Sequence, residues 1–380
     1  MTRENLSGRR HALLLCLIFS AVISWWGCAA YLPADIPAQS EYTITAVPWP
    51  EADALFHSDQ HWLGGDGAYS VDLGGYRVLW LFGDSFIDPG ITRDRTNATV
   101  VRNSLAVQHG TDPSTASITF YWGEKDHMPS SFFGDGDEQW FWPGGGTLLA
   151  DKLIIFLMKI QRSDNELGFD VAGFSAVLID NPDSAPSDWN VTWLAVPKVG
   201  SGIVIGSASV LAVEEHLYAF GADGTAHDAY LVRWKISDVL KGELMHMQWW
   251  EGSHNRWVRH DELAGRPAPL FSSAQMEFTV HYEPSRRCFL QVQTMILTDP
   301  CLSYRTAPQI TGPWSDPKPF YDPPEKKDST LLIYAGKSHR GLTGADLVFT
   351  YAVNSMDMDR LLADEGIYYP VFVRGTFSEQ

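Results

Sequence analysis

Two aspartates, Asp66 and Asp84, stand at the open ends of a segment, GDGAYSVDLGGYRVLWLFGDSFID from Gly65 to Asp88, that reads as a single β-hairpin. Gly74-Gly75 is a two-residue turn signal, and the flanking runs Ala68 to Leu73 and Tyr76 to Phe82 are rich in aromatic and β-branched residues. Counting back from that turn places residue 66 opposite 83, and a one-residue bulge or a slightly wider turn places it opposite Asp84. Two carboxyls at cross-strand distance repel when both are ionised, so one of them holds its proton to higher pH. That asymmetry is what an acid/base or acid/nucleophile pair requires. The plainer reading makes Asp66 turn punctuation in an Asp-Gly step and Asp84 a loop cap.

The elements that must position such a pair are strands. Short apolar runs recur along the chain with turn signals between them, and almost no stretch has helical amphipathicity, which indicates an all-β architecture. Five stretches share a layout of small-residue start, strand, tight turn and very apolar strand: GDGAYSVDLGGYRVLWLFG, GGGTLLADKLIIFLM, GSASVLAVEEHLYAFG, EFTVHYEPSRRCFLQV and DSTLLIYAGKSHRGLTGADLVFTYAVN. Two segments near Trp189 and Trp314 read as blade ends. A five-bladed β-propeller accounts for the repetition, because neighbouring blades cover each blade on both faces; a β-sandwich is the alternative. In a propeller the starts of the innermost strands converge on a central pocket. Asp66, the Trp142-Pro143-Gly144 segment, Ser207 and Glu277 then belong to its rim. Glu277 is a third carboxyl for the site, or an exposed strand-end glutamate. Trp140 and Trp142 are candidates to stack on a sugar ring, whereas Trp80 lies in a run so apolar that it belongs to the core. Arg102 either holds a carboxylate or forms a structural ion pair. Asn103 and His339 are hydrogen-bonding candidates for substrate.

At 380 residues the chain is long enough for a substantial core, and its 28 basic against 46 acidic residues give a net charge of −18. That balance argues against nucleic acid or an anionic lipid surface as a partner and favours a neutral or cationic ligand. Residues 1–27 read as an export signal: Arg3, Arg9 and Arg10 precede the apolar run Ala12 to Trp26. Cys28 after Gly27 fits the lipid-attachment site of a lipoprotein, with plain signal cleavage as the alternative. Residues 28–45 read as a tether and 46–380 as the propeller domain, so contact with a membrane is expected only through the N-terminal anchor and the location is the cell envelope or outside the cell. Cys288 and Cys301 flank a hairpin; a bridge between them would add roughly 3 kcal/mol in the chain-entropy model, and two buried free thiols are the equal alternative. No zinc-binding spacing, HExxH or phosphate loop occurs, so neither cofactor nor metal is expected.

The chain resembles the secreted five-bladed propellers known as domain of unknown function 4185, endo-D-arabinanase-like members of which form glycoside hydrolase family 183. The pieces that carry the likeness are GDGAYS with LWLFGDSFID, VRNSLAV, WPGGG with KLIIFL, MEFTVHY, and YAGKSHRGLTGADLVFTYAVN followed by YYPVFVR, spanning about residues 62 to 374. Gly312 to Ser315, GPWS, also looks like the blade ends of family 43 arabinanases and xylosidases. The resemblance implies a monomeric glycoside hydrolase acting on a furanoside polysaccharide such as D-arabinan, with Asp66 and Asp84 as the catalytic carboxyls. Arg102 beside Asp84 would make Asp84 the nucleophile or base and Asp66 the acid. Two other functions compete. A non-catalytic propeller would bind glycans or proteins through the same face. An esterase would use Ser85 of the Gly-Asp-Ser block, but Asp88-Pro89-Gly90 breaks the helix such enzymes need after the serine.

Overall fold

A computed structural model of the chain describes residues 42–379 apart from 135, 137, 166, 167, 201 and 296–298. The export segment, Cys28 and most of the tether lie outside the described residues. Five antiparallel sheets of at least four strands follow one another along the chain and make five propeller blades. Blade 1 is Tyr69–Gly74, Arg77–Phe82, Ser104–His109 and Ser117–Tyr121; blade 2 is Gln139–Leu149, Lys152–Arg162, Phe169–Ile179 and Val191–Trp193. Blade 3 begins with Ile203–Val213, His216–Asp223, Asp228–Lys235 and Gln248–Glu251, and blade 4 comprises Thr279–Glu283, Cys288–Met295, Cys301–Ala307 and Lys318–Tyr321. Blade 5 takes three strands from the C-terminal part, Leu331–Ser338, Leu347–Ser355 and Pro370–Glu379, and its fourth, Tyr42–Pro48, from the other end of the chain. That last strand starts at Tyr42, inside the segment expected to be tether, because its backbone completes the ladder of Pro370–Glu379 from Glu379 to Val373.

The apolar runs are continuous because both faces of each blade are covered. Along Lys152–Arg162, Leu153, Ile155 and Leu157 pack with Val71, Leu79 and Leu105 of blade 1. Ile154, Phe156 and Met158 alternate with them and pack with Ile205, Leu217 and Val232 of blade 3. The other interfaces repeat the arrangement: Phe220 meets Phe278 and Phe289, Leu290 meets Phe349 and Tyr351, and Trp80 meets Val348 and Phe372. Trp80 is thus core, as its apolar surroundings require. A sandwich would give one interior between two sheets, whereas here the core is divided among the seams between blades. Where two innermost strands touch backbone to backbone, side chains are excluded: a Cβ on Gly144 would lie 2.1 Å from the Gly206 carbonyl oxygen.

Candidate active site

The first blade carries a small extension on the front face, the side at which the innermost strands begin. Trp62–Gly65, Ser85–Ile87 and Thr99–Val101 form a three-stranded sheet there. The hairpin turn sits at Gly75-Tyr76, one residue later than expected, with φ of 60° and 62° as a tight turn of this hand requires, and a bulge at Leu73 restores the register. Tyr69 then faces Leu81, and across the gap Gly65 faces Ser85. Asp66 and Asp84 therefore occupy facing positions where the two ladders part. Gly67, at φ +84°, turns the chain after Asp66, and the Gly83 amide donates to the Asp66 carbonyl over 2.9 Å. A Cβ on Gly83 would meet Asp66 Oδ1 at 2.5 Å, so only glycine leaves room for that carboxyl.

Asp84 is gripped from two sides. Ser85 pairs with Val101, which puts Arg102 beside Asp84 by register, and the Arg102 guanidinium donates to Oδ2 over 3.0 Å. The indole N–H of Trp142 donates to Oδ1 over 2.7 Å. Both donors complement a carboxylate anion. Arg102 itself lies over the Trp140 ring, 4.5 Å from its centroid, so the cation is stacked as well as paired. Asp66 has different company. The Tyr334 hydroxyl donates to its Oδ2 over 2.8 Å, and among the described residues no cation pairs with it. Burial, together with the negative charges of Glu277 and Asp84, pushes its pKa up to about 8. Asp66 still keeps part of its surface open, whereas Asp84 and Glu277 are buried.

Glu277 stands at the start of blade 4, just before Thr279–Glu283, and its Oε1 lies 3.5 Å from Nζ of Lys337 on the innermost strand of blade 5. The ammonium is wholly shielded from solvent and sits 4.1 Å from the centroid of the Tyr69 ring. Tyr69 in turn reaches across the channel and donates its hydroxyl proton to the Ser207 carbonyl of blade 3. Three carboxyls thus converge, each with a distinct partner: Arg102 and Trp142 on Asp84, Lys337 on Glu277, Tyr334 on Asp66.

Several expected residues take other positions. Asn103 is fully buried and its amide is committed to the backbone, donating to the Phe133 and Phe141 carbonyls and accepting from the Phe133 N–H. It fixes the walls of the site and does not line it. Trp140 and Trp142 are too buried to offer a stacking face; they hold Arg102 and Asp84 instead. His339 bonds to Ser70 through Nδ1 and to Thr350 through Nε2, at the far end of the innermost strands, so it is absent from the carboxyl cluster. Ser85 is buried, donates to the Gly83 carbonyl and meets Ser104, and among the described residues no histidine bonds to it, which argues against the esterase reading. Cys288 and Cys301 are free thiols, because they lie at opposite ends of neighbouring strands. Sequence reasoning missed Lys337, Tyr334 and Tyr368, whose hydroxyl donates to the Asp84 carbonyl over 3.1 Å. One signal was present: Lys337 is a lone charge in the otherwise uncharged strand LLIYAGKS.

The profile of one protein family, described as Domain of unknown function (DUF5005), matches residues 51–376. This corrects the expectation of domain of unknown function 4185. The motifs that suggested it, the aspartate hairpin and the glycine-rich blade starts, are features that the propeller and the carboxyl cluster themselves demand. No curated protein matches the chain in sequence. Among solved structures, a candidate hydrolase from Bacteroides ovatus superposes with a TM-score of 0.68 at 14% identity, over 92% of this chain and 97% of that one. The catalytic domain of a GH62 α-L-arabinofuranosidase from Coprinopsis cinerea gives 0.47 at 11% identity, over 90% and 98% of the two chains. An exo-β-1,3-galactanase from Phanerochaete chrysosporium gives 0.47 at 9% identity, over 82% and 60%.

Proposed function

The chain belongs to the DUF5005 family, and from the carboxyl cluster that its fold assembles we propose that it is a glycoside hydrolase working with two carboxyls, Asp66 as acid and Asp84 as nucleophile or base. One observation carries the reading: of three converging carboxyls, the one that keeps its proton to about pH 8 is also the one left partly open to a substrate. A protonated acid gives its proton to the departing glycosidic oxygen while a carboxylate opposite attacks the anomeric carbon or activates water. Arg102 and Trp142 hold Asp84 in place for that task. The negative charge of Glu277, only partly offset by the Lys337 ammonium beside it, keeps the proton on Asp66 and favours an oxocarbenium-like transition state.

The substrate class is a neutral polysaccharide, which suits a chain of net charge −18. Furanosides come first, with endo-cleavage of D-arabinan the most specific form of the proposal. An exported enzyme, released or anchored through Cys28, would meet such polymers outside the cytoplasm. The test is product release from D-arabinan, arabinogalactan, L-arabinan and xylan by the mature domain beside Asp66→Asn and Asp84→Asn. Oligosaccharide release from one polymer, lost in both folded variants, is the expected result; turnover that survives either substitution would overturn the assignment.

A further inference from the structure

On the face opposite the carboxyls the propeller channel widens into a cavity of about 520 Å³. Its wall is made by residues of all five innermost strands, and each strand brings a serine or threonine hydroxyl: Ser70, Thr147, Ser209, Thr279 and Ser338. Tyr69, tied to Ser207 and overlain by Lys337, lines this cavity, and Lys337 links it to Glu277 of the carboxyl cluster. From these features we propose that the rear cavity is a second, non-catalytic binding site for one neutral polyhydroxylated molecule the size of a single sugar ring.

The hydroxyls are held in position. His339 Nδ1 bonds to Ser70 Oγ over 2.8 Å, and its Nε2 is fixed by Thr350 over 2.7 Å. His281 Nδ1 bonds to Ser338 Oγ over 3.0 Å, and that oxygen meets Thr279 Oγ1 at 3.0 Å. Ser209 donates to the Val280 carbonyl over 3.0 Å. Burial keeps both imidazoles neutral, with pKa values down to about 4 and 3, so each offers one donor and one acceptor and orients its hydroxyl. His281 stands in the wall itself, and His339 is buried behind Ser70. Hydroxyls that both donate and accept match vicinal diols. The charges at the rim, Asp72 and Arg340, cancel, which selects against an ionic ligand. The volume lies within the range of small-molecule sites.

The experiment needs no turnover and so stands apart from the hydrolase reading. Saturation-transfer NMR and titration calorimetry would be run with D-arabinose, L-arabinose, D-xylose and D-galactose on the parent protein, Asp84→Asn, Ser338→Ala and Thr147→Trp. The expected result is binding of at least one sugar, unchanged in Asp84→Asn, weakened roughly three- to ten-fold in Ser338→Ala and lost in Thr147→Trp. Ser338→Ala removes a single hydroxyl and keeps the test valid should Thr147→Trp not fold. No binding by any of the four sugars, or binding lost in Asp84→Asn and untouched in Ser338→Ala, would overturn the proposal.

Discussion

Glu277 and Lys337 meet across the seam between blades 4 and 5, Oε1 to Nζ at 3.5 Å, with the ammonium fully shielded from water. A buried pair adds little over an apolar pair of the same shape, but removing one partner leaves an uncompensated charge. Lys337→Met is therefore expected to cost about 3–5 kcal/mol in unfolding free energy. Adding Glu277→Gln should recover most of that loss, and a double-mutant cycle by denaturant unfolding measures the coupling. Additive effects of the two substitutions would show that the contact contributes nothing.

Asp66 should set the alkaline limit of activity. Its acid role requires the proton, which it loses as pH rises through about 8, so the rate falls there and the limb disappears with Asp66→Asn along with the activity. The sign for stability follows from the same shift. Between the ordinary value of 3.8 and about 8 the native protein holds a proton that the unfolded chain has released, so this group's contribution declines as pH rises across that window. Melting temperatures of parent and Asp66→Asn recorded from pH 4 to 9 should diverge, with the flatter curve in the variant.

His281 and His339 act in the opposite direction. Their native pKa values of about 4 and 3 lie below the ordinary 6.5, so the unfolded chain binds protons that the native protein refuses. Their contribution is full above pH 6.5 and is lost as pH falls toward 4 for His281 and toward 3 for His339. His281→Gln should soften the drop in melting temperature between pH 7 and 4.5, which scanning calorimetry reads directly.

Gly83→Ala tests the geometry of the hairpin break. The added methyl would stand 2.5 Å from Asp66 Oδ1, so the carboxyl must move. A loss of about 1–3 kcal/mol in stability is expected. A displacement near 1 Å lowers the rate on the order of 10²-fold, seen in kcat/KM on whichever polymer the parent protein cleaves.

The repeated layout of strand, tight turn and apolar strand was enough to place the opening hairpin of every blade, because coverage on both faces leaves a direct mark on composition. The aspartate pair was legible for a similar reason, since a turn fixes register and register fixes neighbours. Partners from distant blades were not. Trp142 reads equally as a sugar platform and as a hydrogen-bond donor, and only its 2.7 Å approach to Asp84 decides. Asn103 and His339 share the polarity of site residues, yet one serves backbone carbonyls and the other the far end of the channel. The closing strand Tyr42–Pro48 escaped notice because its pairing partner lies at the other end of the chain.

That closing strand ties the appearance of chemistry to the closure of the ring. Asp66 stands 268 positions before Tyr334, whose hydroxyl it accepts, and Lys337 follows three residues later on the same strand. The blade bearing both is completed only when Pro370–Glu379 zips onto Tyr42–Pro48. The acidic hairpin is local in sequence, whereas the tyrosine and the ammonium reach it only where blade 5 packs beside blade 1.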